Sequence, residues 1–165
     1  MKPKYVFIIF SFLLFPFALI AQVPTDRDAL LSGEGAGQGM FAESHGYPGP
    51  KHVLDLEKEL QLTDAQKKSV QKIFDDMHTR AKDVGARIVE IEEELNDAFK
   101  TGLVSEKSVM DDNEQIGKLR GKLRTIHLTA HLKTKKILTA DQLEKYKKLR
   151  IAQPDQKPHP GEHKK

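Results

Sequence analysis

His127 and His131, one helical turn apart in His127-Leu128-Thr129-Ala130-His131, are the residues whose type and spacing most directly suggest chemistry. At i and i+4 both imidazoles lie on one face of a helix, within reach of a single metal ion. The chain has no Cys, which excludes a thiolate zinc finger, an iron–sulfur cluster, a Cys nucleophile and a disulfide framework. Imidazole and carboxylate without thiolate suit Zn, Ni, Co or Cu(II), and no organic cofactor is indicated. A catalytic zinc motif of the H-E-x-x-H kind carries a Glu beside its first His as general base. Leu128 stands in that place here. No Ser/His/Asp set or phosphate loop is visible, so the expected activity is binding and not catalysis.

Two long helices must position these histidines. Val70, Phe74, Met77, Ala81, Val84, Ile88, Ile91, Leu95 and Ala98 follow alternating steps of four and three, a heptad seam. The seam predicts one helix of about 35 residues, ~50 Å at 1.5 Å per residue. Thr101-Gly102-Leu103-Val104 ends it, with Gly102 suited to a left-handed cap. Ser105 then caps a return helix whose seam is Val109, Ile116, Leu119, Leu123, Ile126, Ala130 and Ile137. Two such helices joined by a short turn run antiparallel. Reflecting residue 127 about the turn lands near residue 78, which is His78. His127, His131 and His78 are therefore expected at one level of the hairpin. His52, on a short helix expected over 51–60, is the candidate fourth ligand, with Glu57 and Asp75 as carboxylate alternatives. The competing reading of an i,i+4 His pair on a charged helix is a solvated edge; the coincidence of His78 favours a site.

The helix starts are marked twice by one pentapeptide. Leu62-Thr63-Asp64-Ala65-Gln66 recurs as Leu138-Thr139-Ala140-Asp141-Gln142. Each reads as a capping box, in which the Thr hydroxyl accepts the N–H three residues on and the Gln side chain reaches back to the Thr N–H. Asp64 and Asp141 sit in the first turns, where the helix dipole favours negative charge. Two ordinary caps account for each site alone, but not for the same five residues twice. A last helix is expected over 140–152.

The flanks differ in composition. Residues 1–4 carry Lys2 and Lys4, residues 5–21 are an uncharged Phe/Ile/Leu-rich run interrupted by Pro16, and Ala21 precedes Gln22. That pattern is a secretory signal peptide over 1–21, short of the ~20 unbroken apolar residues of a span. Its removal takes the net charge from +3 to +1, no footprint for nucleic acid. Gly-rich residues 22–50 read as a flexible lead-in, and 153–165, with three prolines, His159 and His163, as a disordered basic tail. Residues 51–152 form the expected domain. Leu128, Leu132, Gly117 and Gly121 lie off the return seam, unclaimed surface that points to a partner helix and a homodimer.

Signal peptide, short helix, the paired Leu-Thr-x-x-Gln motifs (Leu62, Thr63, Gln66; Leu138, Thr139, Gln142), long hairpin and basic final helix resemble the LTxxQ superfamily of periplasmic proteins. That family holds the Spy/CpxP-like chaperones and the ZraP/CnrX-like heavy-metal resistance and sensor proteins. The resemblance covers 51–152. It implies an all-α fold, a long antiparallel helical hairpin with short flanking N- and C-terminal helices in a hooked four-helix arrangement, usually dimeric, in the envelope of a Gram-negative bacterium. It also implies that the two motifs are structural. The metal-sensing branch draws ligands from the first helix, the long helix and a His motif before the second box, which His127 and His131 match and near whose first element His52 lies. The chain departs from that branch in lacking an H-x-x-x-H pair on its first helix. The leading expectation is a non-enzymatic envelope-stress protein binding a divalent transition metal. The alternative is an ATP-independent chaperone for unfolded envelope proteins, its basic groups Lys67, Lys68, Lys72, Lys82, Arg87, Arg120, Lys122 and Arg124 steering acidic clients. A membrane-bound sensor or regulator is a further partner class.

Overall fold

The computed structural model describes residues 26–34 and 37–152; the expected signal peptide (1–21) and tail (153–165) lie outside the described residues. Among the described residues six helices follow one another: α1 (Arg27–Ser32), α2 (Met40–Ser44), α3 (Pro50–Asp55), α4 (Asp64–Thr101), α5 (Glu106–Ile137) and α6 (Ala140–Ala152). Among the described residues there is no strand, and no helix is long and apolar enough to cross a membrane.

The two long helices form a helical hairpin along the seams read from the sequence. Met77, Ala81, Val84, Ile88 and Ile91 of α4 are buried against Ile116, Leu123, Ile126 and Ala130 of α5. Gly102 takes the left-handed cap of α4 at φ 70°, and Ser105 and Ser108 form a reciprocal cap on α5. Near the turn, Phe99, Leu103 and Met110 remain exposed.

The repeated pentapeptide has a joint role at the other end. Gln66 accepts from the Thr63 N–H at 3.1 Å, and Gln142 accepts from the Thr139 N–H at 3.0 Å, so both boxes are closed. The two amides also face each other: Gln66 Nε2 donates to Gln142 Oε1 at 2.8 Å and Gln142 Nε2 donates to Gln66 Oε1 at 3.1 Å. Their remaining N–H groups donate to the Ile137 and Leu60 carbonyls. Every donor of both amides is thus satisfied, and one pair ties the starts of α4 and α6 to the end of α5. A second apolar cluster, Val53, Leu60, Val70, Leu138 and Tyr146, fills the space around it.

The segment expected as a flexible lead-in differs from that expectation where it is described. Residues 26–34 and 37–50 lie packed on the hairpin. Leu30 is 5% exposed within the main core. Its backbone crosses α4 at Gly85, where a Cβ would stand 2.0 Å from the Leu30 carbonyl oxygen. Arg120 of α5 donates to Asp26 at 2.6 Å and Arg27 to Glu93 of α4 at 2.8 Å, so α1 is tied to both limbs. The Arg120 hydrogen bond holds the Asp26 carboxyl below the usual carboxylate range despite some burial. The expected helix over 51–60 is shorter: α3 ends at Asp55, and a turn leads through Gln61 (φ 52°) into the first box.

Candidate functional site

His127 and His131 sit on α5 beside its seam, and both are buried, 4% and 7% exposed. The hairpin alone would leave them at its edge. The 37–50 segment covers His131. His131 Nδ1 lies 2.7 Å from the Tyr47 carbonyl, which makes that nitrogen an N–H donor. Glycines on both sides allow the fit: a Cβ at Gly39 would stand 2.1 Å from His131 Nε2, and one at Gly49 3.0 Å from Cε1. Lys135, one turn on, rests its ammonium 3.6 Å from the Tyr47 ring centroid.

His127 is the anomaly. Its Nε2 is buried with no hydrogen-bond partner among the described residues. Burial, and secondarily the neighbouring His131, push its pKa down, so the ring is neutral at pH 7. A buried polar atom without a partner is rare and costly enough to need a reason, such as an ion or water.

The other two expected ligands lie elsewhere. His78 is half-buried on α4, edge-on to Phe74 with ring centroids 5.4 Å apart, and lies against Gly33. His52 is bonded through Nδ1 to Glu43 Oε1. Among the described residues no three His, Asp or Glu side chains assemble as a metal-holding group. The structure therefore brings His127 and His131 together and does not join His78 and His52 to them. The carboxylate candidate Glu57 is ion-paired with Lys67 at 2.5 Å, and Asp75 accepts from Gln71 at 2.8 Å.

Glu43, absent from the sequence-based expectations, is the hub of the covering segment. Besides His52, it accepts from the Tyr146 hydroxyl at 2.8 Å and from the Arg150 guanidinium at 3.3 Å. Burial alone would raise its pKa; the hydrogen bond and charge of His52, with Tyr146 and Arg150, outweigh burial and hold it at about 2. Tyr146 is pushed up by burial and by the Glu43 carboxylate. The one available signal was that Glu43 is the only Asp, Glu, Lys or Arg between residues 35 and 50.

Because the folded pKa of Glu43 lies below its unfolded value, its contribution to stability is complete above about pH 4.5 and is lost as pH falls toward 2. The loss is on the order of 2–3 kcal/mol. Urea midpoints measured from pH 7 to pH 2 are expected to fall in that window, and Glu43→Gln is expected to flatten that step while lowering stability at pH 7. An unchanged acid limb in Glu43→Gln would refute the assignment.

No family model, curated protein or solved structure matches the chain.

Proposed function

We propose that this chain is an exported, periplasmic, non-enzymatic protein that binds a divalent transition metal, of the Zn, Ni, Co or Cu(II) group, through His127 and His131. The observation that carries this reading is the buried, partnerless Nε2 of His127, one turn from a second buried imidazole. The Tyr47 carbonyl supports it by fixing the His131 tautomer, as a second-shell acceptor does for a ligating histidine. Two imidazoles fit half of a tetrahedral donor set. The reading assigns the rest to solvent or to His78 and His52, which a shift of the 37–50 segment would have to bring in. A hooked, dimeric hairpin belongs to the same reading.

Calorimetric titration with each metal, beside a His127→Ala/His131→Ala double variant, tests it. A truncation after Ala152 separates His159 and His163 from the count. The expected result is a Kd at or below about 1 µM, roughly 8 kcal/mol of binding free energy, lost in the double variant and kept in the truncation. Binding that is absent, or that follows only the tail, would sink the reading.

A second reading is favoured by a separate observation. Phe99, Leu103 and Met110 are 59%, 81% and 67% exposed around one turn. Such a tip suits transient contact with unfolded chains, the chaperone alternative. Suppression of client aggregation that survives the double His variant but is lost on replacing these three residues by Ser would support it.

A further inference from the structure

The short helix α2 is inside out. The side chain of Glu43 is 17% exposed, held by His52, Tyr146 and Arg150, while Met40 and Phe41 are 69% and 67% exposed. A charge turned in beside an apolar pair left in water departs from ordinary burial and needs a reason. The pair also sits among cations. Gly39, next to Met40, lies against His131 of α5; Tyr47 meets the Lys135 ammonium; and Glu43 receives the guanidinium of Arg150 from α6. The segment bearing the pair therefore lies between the last turns of α5 and the later turns of α6. On those two helices Lys133, Lys136, Lys145, Lys147 and Lys148 are exposed and, among the described residues, make no ion pair.

Charge is graded along the hairpin. Residues 121–152 carry nine Lys or Arg against two Asp or Glu, and residues 51–82 beside them are nearly balanced, seven against six. Around the far turn, residues 83–114 carry ten Asp or Glu against three Lys or Arg. The two ends are separated by ~50 Å, several times the Debye length of about 8 Å at physiological salt. An extended anionic plane would therefore attract the α6 end and leave the acidic turn pointing away. Two exposed apolar side chains fall far short of the roughly 1,000 Å² that a specific protein interface needs. They suffice for shallow entry into a headgroup layer when lysines lie over anionic lipid. We propose that this end of the hairpin binds an anionic phospholipid surface, with Met40 and Phe41 entering it and the lysines of α5 and α6 lying over it.

The chain has no Trp, so Phe41→Trp places a sole indole reporter at an exposed position. Residues 22–165, the form that export would leave, are used with chelator present, so neither the apolar run 5–21 nor a metal enters the result. Vesicles of phosphatidylcholine, alone or with about one-third phosphatidylglycerol, are titrated at low and high salt. Binding is expected to be at least tenfold tighter to the anionic vesicles, to weaken with salt, and to shift the indole emission to the blue. Lys136→Gln/Lys147→Gln is expected to bind at least tenfold more weakly, at about fivefold per lysine. Lys100→Gln/Lys107→Gln, the same charge change at the far turn, is expected to bind as the parent does. Equal affinity for the two vesicles, an unshifted indole, or an equal loss in the far-turn variant would overturn the proposal. Poly-glutamate bound as tightly as the anionic vesicles would assign the surface to acidic polypeptide instead.

Discussion

Replacing Gln142 by Leu is expected to cost about 3–4 kcal/mol of folding stability, a large share of the 5–15 kcal/mol that holds an ordinary domain together. Leucine nearly matches the volume but has none of the four hydrogen bonds that this amide makes. The Leu60 carbonyl loses its donor, Thr139 loses half of its capping box, and the Gln66 amide loses both its acceptor and its donor across the pair. These groups are partly buried, so water replaces the lost partners poorly. Gln142→Glu separates the two roles: it keeps the acceptor for the Thr139 N–H but removes the donors and sets a charge against Gln66 Oε1. Urea denaturation followed by circular dichroism reads both. A Gln142→Leu variant within 1 kcal/mol of the parent would show that the pair adds nothing beyond an ordinary cap, which is worth about that much.

Gly85→Val is expected to lift α1 from the hairpin. The new Cβ would stand 2.0 Å from the Leu30 carbonyl oxygen and 2.7 Å from its carbon, both backbone atoms that no side-chain rotation can move aside. The branched side chain cannot turn away, because valine has one strongly preferred rotamer in a helix. Displacing α1 exposes Leu30, at about 2 kcal/mol, and breaks the Asp26–Arg120 pair. A better helix former at position 85 recovers about 0.5 kcal/mol, leaving a net loss of roughly 2 kcal/mol. Hydrogen exchange is the sharper measurement. Amides of α1 are expected to lose protection while those of the α4 and α5 seam keep it. Retained protection in α1 would contradict the crossing.

Both limbs of the hairpin were legible because each writes its core face at a fixed period. The same periodicity places Val70 through Ile91, and Ile116 through Ala130, where the structure buries them. The caps were legible because their chemistry is local. The pairing of Gln66 with Gln142, 76 residues apart, was not, although the repetition of the pentapeptide marked it. The covering segment was misread for a physical reason. Glycines that admit a close approach, such as Gly39 and Gly49 beside His131, have the same composition as glycines that merely loosen a chain. The reflection that singled out His78 gives a level along the hairpin but no angle around α4, and at that level His78 meets Phe74 and Gly33. Glu43 was invisible because its partners His52, Tyr146 and Arg150 converge on it only through the tertiary fold.

The clasp on Glu43 also orders events in time. The α4–α5 turn joins neighbours in sequence, so the hairpin can zip from Gly102 with little loop-closure entropy at each step. The bonds from Tyr146 and Arg150 to Glu43 close loops of 103 and 107 residues and need α6 already in place. A chain made from its N-terminus therefore presents Glu43 first and closes its clasp last. Until the final helix arrives, the cover that Tyr47 lays over His131 lacks its clasp.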